Sequence, residues 1–140
     1  MILSRCSDSR LLQAEYVSGQ TPLLQQTEKQ LEEYFEGRRF SFNLPLCLAG
    51  TDFQVEVWRD LQGVAYGKIL SYKEQSVRIH RAKAVRAVAN ADGANALVIV
   101  IPCHRIVGST NSLTGYSGGL KVKRALLKLE AEKSKEYTLF

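Results

Sequence analysis

The sequence predicts a mixed α/β protein whose larger, C-terminal part is mostly helical. Two helix-capping signals, at residues 51–54 and 71–74, are each followed by apolar residues at helical spacing. Two short helices joined by a tight turn follow the second signal, which is typical of a helix-turn-helix. An apolar, β-branched run at residues 97–101 favours a buried strand. A chain of 140 residues with 45% hydrophobic content can bury one core with a small appendage.

The N-terminal part contains one clear helix. Residues 1–20 show no strong periodicity. Thr21 and Pro22 then suit the N-cap and the first turn of a helix that Gly37 ends. Its inward stripe is predicted to comprise Leu23, Leu24, Thr27, Leu31, Tyr34 and Phe35.

A change in composition near residue 50 predicts a domain boundary. Residues 38–50 are interpreted as a connector, which gives expected domains of 1–48 and 49–140. The net charge is +5, and the basic surplus lies after the boundary. The surplus is concentrated between residues 68 and 105, in Lys68, Lys73, Arg78, Arg81, Lys83, Arg86 and Arg105. Cations concentrated in one segment point to a polyanionic partner, although a solvated basic face is the alternative.

Three helices are predicted between the boundary and residue 93. The first opens at the capping box of residues 51–54, and its inward face comprises Phe53, Val57, Trp58 and Leu61. The second covers residues 71–79, again opened by a capping box. A break at residues 80–81 leads to the third, over residues 82–92, which Gly93 stops.

The third of these helices is rich in alanine and carries a polar edge. Lys83, Arg86 and Asn90 recur at steps of three and four residues, so they share one exposed stripe. Small side chains let a helix backbone approach a groove floor closely while one long arginine projects. An ordinary alanine-rich helix with a solvated basic edge explains the same pattern.

The apolar run ends in the chemically richest segment of the chain. Proline cannot continue a central ladder, so the chain must turn at Pro102. Cys103, His104 and Arg105 follow directly. A cysteine beside a histidine is the minimum for an activated thiolate, because free cysteine is mostly protonated at neutral pH. Since neighbours in an extended strand point oppositely, cooperation of this pair requires a turn or helical geometry after Pro102, or a bridging water, and we expect helical geometry and a water together.

The C-terminal part adds a glycine-rich segment and a final helix. Residues 113–119 contain three glycines and one tyrosine, a composition suited to wrapping a planar ligand. A helix is predicted over residues 120–132, with Leu126, Leu127 and Leu129 inward. Glu130 shares that side and therefore needs a partner. Either a buried salt bridge or the orientation of a histidine would supply one.

Several classes of protein are excluded by composition and spacing. No apolar stretch approaches the roughly 20 residues of a membrane span, and no signal peptide is recognisable. The three cysteines are an odd number without close pairing, so a disulfide framework is not expected. No spacing suits a metal ion or a cofactor. We therefore expect a reduced, intracellular, soluble protein.

With these motifs assembled, the chain resembles the O6-alkylguanine-DNA alkyltransferases (methylated-DNA–protein-cysteine methyltransferases) over about residues 20–132. In chain order, the matching pieces are Gly50-Thr51, Phe53-Gln54, Val57-Trp58, Gly67, Ser71-Tyr72, Arg86-Ala87-Val88, Asn95, Ile101-Pro102-Cys103-His104-Arg105, Gly115-Tyr116, Gly118-Gly119-Leu120, Leu126-Leu127 and Glu130. The sequence departs from the family between its two short helices, where His80 and Ala82 replace the usual glycine and proline.

The resemblance implies both a fold and a reaction. The fold is an α/β protein in which a winged-helix-like helix-turn-helix domain follows a truncated N-terminal α/β subdomain. The reaction is direct-reversal DNA repair, in which the alkyl group of O6-alkylguanine moves to Cys103 after base flipping. Because a thioether has no obvious leaving path, each molecule is expected to act once. The implied partner is double-stranded DNA containing O6-alkylguanine. The protein is expected to act as a monomer without a cofactor or metal. It is expected in the cytoplasm, or in the nucleus of a eukaryote.

The resemblance also implies roles for particular residues. Cys103 matches the acceptor thiolate, with His104 and Glu130 as its relay. Tyr72 matches the tyrosine that promotes flipping and donates a proton to the departing guanine. Asn95 matches the asparagine that ties the recognition helix to the active-site turn.

The remaining implied contacts are with DNA and with the base. Arg86 matches an arginine finger that fills the space left by the flipped guanine in the minor groove. The DNA-binding set is Arg86, Tyr72, Lys73, Arg81, Ala87 and Ser109, and the pocket set is Tyr116, Ser117 and Gly118. Three alternatives stay open: a lesion-binding protein that does not transfer the alkyl group, a helix-turn-helix regulator with a structural cysteine, and a Cys-His hydrolase.

Overall fold

A computed structural model describes residues 3–5 (backbone), 19–108, 116 and 118–138. The chain divides into two compact units, Met1–Thr51 and Asp52–Phe140.

In the first unit, the described residues form two short paired strands and one helix. Strand β1 (Leu3–Arg5) runs parallel to strand β2 (Leu46–Leu48), and helix α1 (Pro22–Phe35) lies between them in the chain. The prediction of this helix is confirmed, because the Thr21 hydroxyl caps it by accepting from the Leu24 N–H at 3.2 Å.

The interpretation of residues 38–50 as a simple connector is wrong, because this segment contains β2. Leu44, Leu46 and Leu48 are buried while Cys47 between them is exposed. This alternation with a period of two is the strand pattern, and its short length hid it.

The buried face of α1 also differs from the predicted stripe. Tyr34 is buried as expected, but Leu23, Leu24 and Phe35 are 43%, 51% and 53% exposed. The unpredicted member of the buried face is Gln30, whose side-chain amide accepts from the Asn43 N–H at 2.9 Å and donates to the Asn43 carbonyl at 3.0 Å. The Gln30 side chain satisfies two backbone groups at once. These two hydrogen bonds account for a helix face that turns Gln30 inward and leaves Leu23 and Leu24 exposed.

The second unit is mainly helical, as predicted. Its elements are α2 (Asp52–Leu61), β3 (Leu70–Ser71), α3 (Tyr72–Arg78), α4 (Val85–Gly93), β4 (Ile106–Val107) and α5 (Leu120–Thr138). Helices α2 and α3 both pack on α4, and β3 pairs with β4 in parallel. The core centres on Val57, Leu61, Val88 and Ile106, all fully buried. No helix among the described residues combines the length and hydropathy that crossing a membrane would require.

The helix-turn-helix is formed by α3 and α4. The predicted capping box is confirmed: the Ser71 hydroxyl accepts from the Glu74 N–H at 3.0 Å, and the Glu74 carboxylate accepts from the Ser71 N–H at 2.6 Å. The break falls at His80, whose φ of 58° lies in the left-handed region. Helix α4 begins at Val85, three residues later than the predicted start at residue 82, because the chain first makes a turn between Arg81 and Ala84.

The prediction of a buried strand over residues 97–101 is wrong. The chain folds back on itself there, with a single bridge between Val98 and Ile101 and a φ of 74° at Ile99. A positive φ is unfavourable for a β-branched residue, so the turn must be held by other contacts. Asn95 supplies them, since its side-chain amide bonds to groups on both sides of the turn.

Candidate active site

The turn after Pro102 places three polar side chains in the interior. Cys103–Arg105 form a single 3₁₀ turn, which confirms the expected helical geometry at this point. Cys103, His104 and Arg105 are all buried. In an extended chain the side chains of Cys103 and His104 would point in opposite directions, but in this turn they do not.

Asn95 connects the end of α4 with this turn. Its Nδ2 donates to the Cys103 Sγ at 3.2 Å and to the Ile101 carbonyl at 2.8 Å. Its Oδ1 accepts from the Leu97 N–H at 2.9 Å. One buried amide therefore shapes the turn and contacts the sulfur.

The Cys103 sulfur rests in its protonated form. The residue is 5% exposed, and burial raises the pKa of its thiol, with the Asn95 hydrogen bond opposing that rise only in part. Alkylation requires the thiolate, so the proton must leave the sulfur during reaction.

Glu130 pairs with both of the residues that follow the cysteine. The Nε2 of His104 lies 2.7 Å from its Oε1. Arg105 donates from Nε to Oε2 and from Nη2 to Oε1, each at 2.9 Å. The two explanations offered for a carboxylate on this face of the helix therefore hold together: Glu130 forms a buried salt bridge and also orients a histidine.

The charges of this group are set by their contacts. Burial opposes ionisation of Glu130, but hydrogen bonds from His104 and Arg105 outweigh it and lower the pKa of Glu130 to about 2. Burial lowers the pKa of His104, against the opposing effect of Glu130. At neutral pH, His104 is therefore a neutral imidazole that donates from Nε2 to an ionised carboxylate.

Two buried cations near the site had no role predicted for them, although Arg105 itself was named in the sequence motif. Arg105 donates from Nη1 to the Val64 carbonyl at 2.6 Å, so it fixes Glu130 to the core. Lys123 is fully buried, and its Nζ donates to the Ile106 carbonyl at 2.5 Å. Lys123 lies seven residues before Glu130, two helical turns along the same face, and this spacing would have revealed it.

Tyr116 lies near the sulfur, and Tyr72 lies near Lys123. Tyr116 is buried, and burial followed by the influence of Cys103 raises the pKa of its phenol to about 12. A Cβ on Gly118 would lie 2.7 Å from the Tyr116 ring, so the absence of a side chain there permits this packing. Tyr72, at the start of α3, is half-buried, with the Lys123 Nζ 5.9 Å from its ring centre.

The other site residues lie on the surface. Arg86 and Asn90 are exposed on α4, as the stripe predicted, and Ala87 beside them is exposed too. Lys73 is exposed on α3. Arg81 is also exposed, but it is paired with Glu56 at 3.2 Å and lies 6.0 Å from the Phe53 ring centre. Ser109 and Ser117 lie outside the described residues.

Comparison with protein families explains this arrangement. Residues 52–132 match the DNA-binding domain of 6-O-methylguanine DNA methyltransferase, and residues 3–48 match the ribonuclease-like domain of the same family. The chain belongs to the 6-O-methylguanine DNA methyltransferase family. The resemblance and the fold class inferred from the sequence are thereby confirmed.

Individual members of the 6-O-methylguanine DNA methyltransferase family align closely with this chain. The methylated-DNA–protein-cysteine methyltransferase of Methanosarcina barkeri is 50% identical over 102 residues, which are 73% of this chain and 65% of that protein. The protein of the same name from Haemophilus influenzae is 46% identical over 110 residues, 78% of this chain and 62% of its own length. The chain thus spans a little under two thirds of the length of these relatives.

A solved structure of the family supports the fold. The crystal structure of Mycobacterium tuberculosis OGT in complex with DNA matches with a TM-score of 0.77 and 44% identity. The match covers 79% of this chain and 68% of that one.

Proposed function

We propose that this protein repairs DNA by moving the alkyl group of O6-alkylguanine to Cys103, once per molecule. The observation that carries the proposal is the placement of Cys103 beside Asn95, with His104 of the same turn bonded to Glu130 of α5. Family membership supports it, since relatives of up to 50% identity are methylated-DNA–protein-cysteine methyltransferases.

The proposed reaction is a displacement at carbon. The sulfur of Cys103 attacks the alkyl carbon, a carbon–sulfur bond forms, and the bond from that carbon to O6 breaks. Because Nε2 of His104 is engaged with Glu130, Nδ1 is the nitrogen that would receive the thiol proton through a bridging water. Glu130 stabilises the imidazolium that results. The departing guanine takes a proton, for which Tyr72 is the proposed donor.

The surface residues are assigned to DNA binding. The proposal gives Arg86 the space vacated by the flipped base, because it projects from an exposed helix edge that lacks bulky neighbours. The remaining contacts with the DNA backbone and groove are proposed for Tyr72, Lys73, Arg81, Ala87 and Ser109. The base pocket is proposed to consist of Tyr116, Ser117 and Gly118. Tyr116 lies close enough to Cys103 to feel its charge, and Gly118 packs against the Tyr116 ring, which supports this assignment.

The proposal extends to organisation and partners. Residues 49–140 would bind DNA and accept the alkyl group, while residues 1–48 form the ribonuclease-like part. The partner would be duplex DNA containing O6-alkylguanine, bound by one copy of the chain. Its compartment would be that of the chromosome, the cytoplasm of a prokaryote or the nucleus of a eukaryote.

Mass spectrometry after incubation with duplex DNA bearing one O6-methylguanine tests this function. We expect one added methyl group on the peptide that contains Cys103, and none on the peptide that contains Cys47. Cys103→Ser should abolish uptake, while Cys47→Ser, at an exposed position, should not alter it. Binding of methylated DNA without any methyl on Cys103 would reject transfer and favour a lesion-binding protein.

A further inference from the structure

A second group of buried polar side chains lies beside Cys103, and the proposed transfer does not use it. Gln75 on α3, Asp92 on α4 and Lys123 on α5 are each 2% exposed or less. The Nε2 of Gln75 donates to the Asp92 Oδ1 at 3.2 Å. Three helices thus bring an acid, an amide and an ammonium group into the interior, where the charges of Asp92 and Lys123 act on the sulfur.

Two acceptor oxygens of this cluster lack hydrogen-bond donors among the described residues. Asp92 Oδ2 and Gln75 Oε1 are both buried without a hydrogen-bond partner among the described residues. A proton on the carboxyl group would turn one of these acceptors into a donor. Burial raises the pKa of Asp92 to about 7, with the Gln75 hydrogen bond and the charge of Lys123 opposing the rise and Asp60 adding to it. Asp60 is itself paired with Arg78 at 3.2 Å.

The charges of the cluster act on the sulfur in opposite directions. The ammonium of Lys123 favours the Cys103 thiolate, and an ionised Asp92 disfavours it. Lys123 is attracted to both Cys103 and Asp92. In a site with little water, an ionised Asp92 beside Lys123 offsets the positive field of Lys123 at the Cys103 thiolate.

We propose that Asp92, held by Gln75 and facing Lys123, is a positioning residue that sets how much of the positive charge of Lys123 acts on the Cys103 sulfur. With Asp92 neutral, Lys123 is the counter-ion of the thiolate. With Asp92 ionised, its charge opposes the thiolate and neutralises Lys123. Asp92 exchanges no proton with the sulfur or the base during the transfer, so no bond to it forms or breaks. The consequence for repair rests on the proposed function, whereas the coupling itself does not.

Titration of the thiol without DNA tests the coupling. In a Cys6→Ser/Cys47→Ser background, the ultraviolet absorbance of the Cys103 thiolate is followed against pH. Asp92→Asn keeps the shape of the side chain and removes its charge, so we expect on the order of tenfold more thiolate at a pH where Asp92 is ionised. Glu132→Gln removes a carboxylate from the exposed face of α5 and should leave the titration unchanged. Identical thiol titrations in wild type and Asp92→Asn would overturn the proposal.

A measurement on the unsubstituted acid covers the case in which Asp92→Asn does not fold. The carboxyl ¹³C resonance of Asp92 in the otherwise unmodified chain should titrate near neutral pH. Titration in the usual range of aspartate, near about 3.9, would overturn the proposal. Because neither experiment contains DNA, its failure leaves alkyl transfer untouched. A chain that shows the coupling but takes up no methyl group refutes only the proposed function.

Discussion

At the scale of single residues, Asn95 combines a structural and a chemical role in one side chain. Its amide closes the turn through Leu97 and Ile101 and also donates to the Cys103 sulfur. A hydrogen bond to sulfur stabilises the thiolate more than the thiol, so the contact that shapes the turn also favours ionisation.

Asn95→Ala should therefore reduce stability and raise the pKa of the Cys103 thiol. Loss of three hydrogen bonds, two of them fully buried, should lower the free energy of unfolding by about 3 kcal/mol, measured by urea denaturation. Asn90→Ala, on the exposed edge of α4, is the control and should change it by less than about 0.5 kcal/mol. Equal effects of the two substitutions would mean that Asn95 does not hold the turn.

The backbone conformation of His80 affects the stability of the protein. Its φ of 58° is the conformation that favours glycine, the residue usual at this position in the family. His80→Gly should raise the free energy of unfolding by about 0.5 kcal/mol, because relief of the left-handed strain exceeds the added chain entropy. His80→Ala is the matched control and should not stabilise the protein. A glycine variant no more stable than the alanine variant would show that the strain is not significant.

At the scale of elements, α4 combines a buried side with an exposed edge. Val88 is fully buried while Arg86 projects outward, so a change at Arg86 should affect recognition and leave stability intact. This separation permits a test of the proposed flipping role.

Arg86→Ala should slow methyl transfer from duplex DNA but leave the reaction with free O6-methylguanine base unchanged, because the free base needs no flipping. The rates are compared by quenched reactions followed by mass spectrometry of the Cys103 peptide. Lys128→Ala removes an exposed cation from α5 and is the control for charge. Equal loss on both substrates would assign Arg86 to the site itself or to folding.

The turn between α3 and α4 carries a cation that is already paired. Because Glu56 holds Arg81 at 3.2 Å on the surface, Glu56→Gln should free the guanidinium for a phosphate. We expect DNA affinity to rise by about two- to fivefold at low salt, in keeping with the energy of an exposed ion pair. The gain should vanish at high salt, where such pairs are screened. Glu132→Gln removes the same charge from α5, and an equal gain in that variant would show a general charge effect.

At the scale of the whole molecule, two buried carboxyl groups act on stability in opposite pH ranges. The pKa of Glu130 is lowered from 4.5 to about 2, so its stabilising contribution is present above 4.5 and is lost as the pH falls toward 2. The pKa of Asp92 is raised from 3.8 to about 7, so its contribution is present below 3.8 and is lost as the pH rises through 7.

The two groups together predict greatest stability in mildly acidic solution, near pH 4 to 5. Each group contributes on the order of 3 kcal/mol across its range. Urea denaturation at a series of pH values measures this dependence. Asp92→Asn should flatten the neutral side of the curve, and Glu130→Gln should flatten the acid side. A curve unchanged by both variants would contradict the assignment.

Local backbone chemistry could be predicted from the sequence. The capping box at Ser71, the cap at Thr21 and the turn after Pro102 depend on side chains within a few residues, and each is found where expected. The helical spacing placed Glu130 on the buried face of its helix. The sequence therefore predicted that it forms either a salt bridge or a hydrogen bond that orients a histidine. That one carboxylate serves both His104 and Arg105 depends on the distance between α5 and the turn.

Some of the predictions failed because individual side-chain hydrogen bonds, which the residue pattern does not reveal, decided the outcome. A β-branched run at residues 97–101 favours a strand by itself, but the Asn95 amide holds a turn there. Likewise, Gln30 is buried because Asn43 lies opposite it.

The sequence alone determined the family resemblance, the capped helices and the identity of the candidate nucleophile, because these depend on residue type and short spacing. Only the tertiary structure decided that Cys103 is a buried thiol and that Asp92 and Lys123 stand beside it. The reason is physical: a residue type carries an ordinary pKa, while burial and the charges brought near it by folding decide which form exists in the protein.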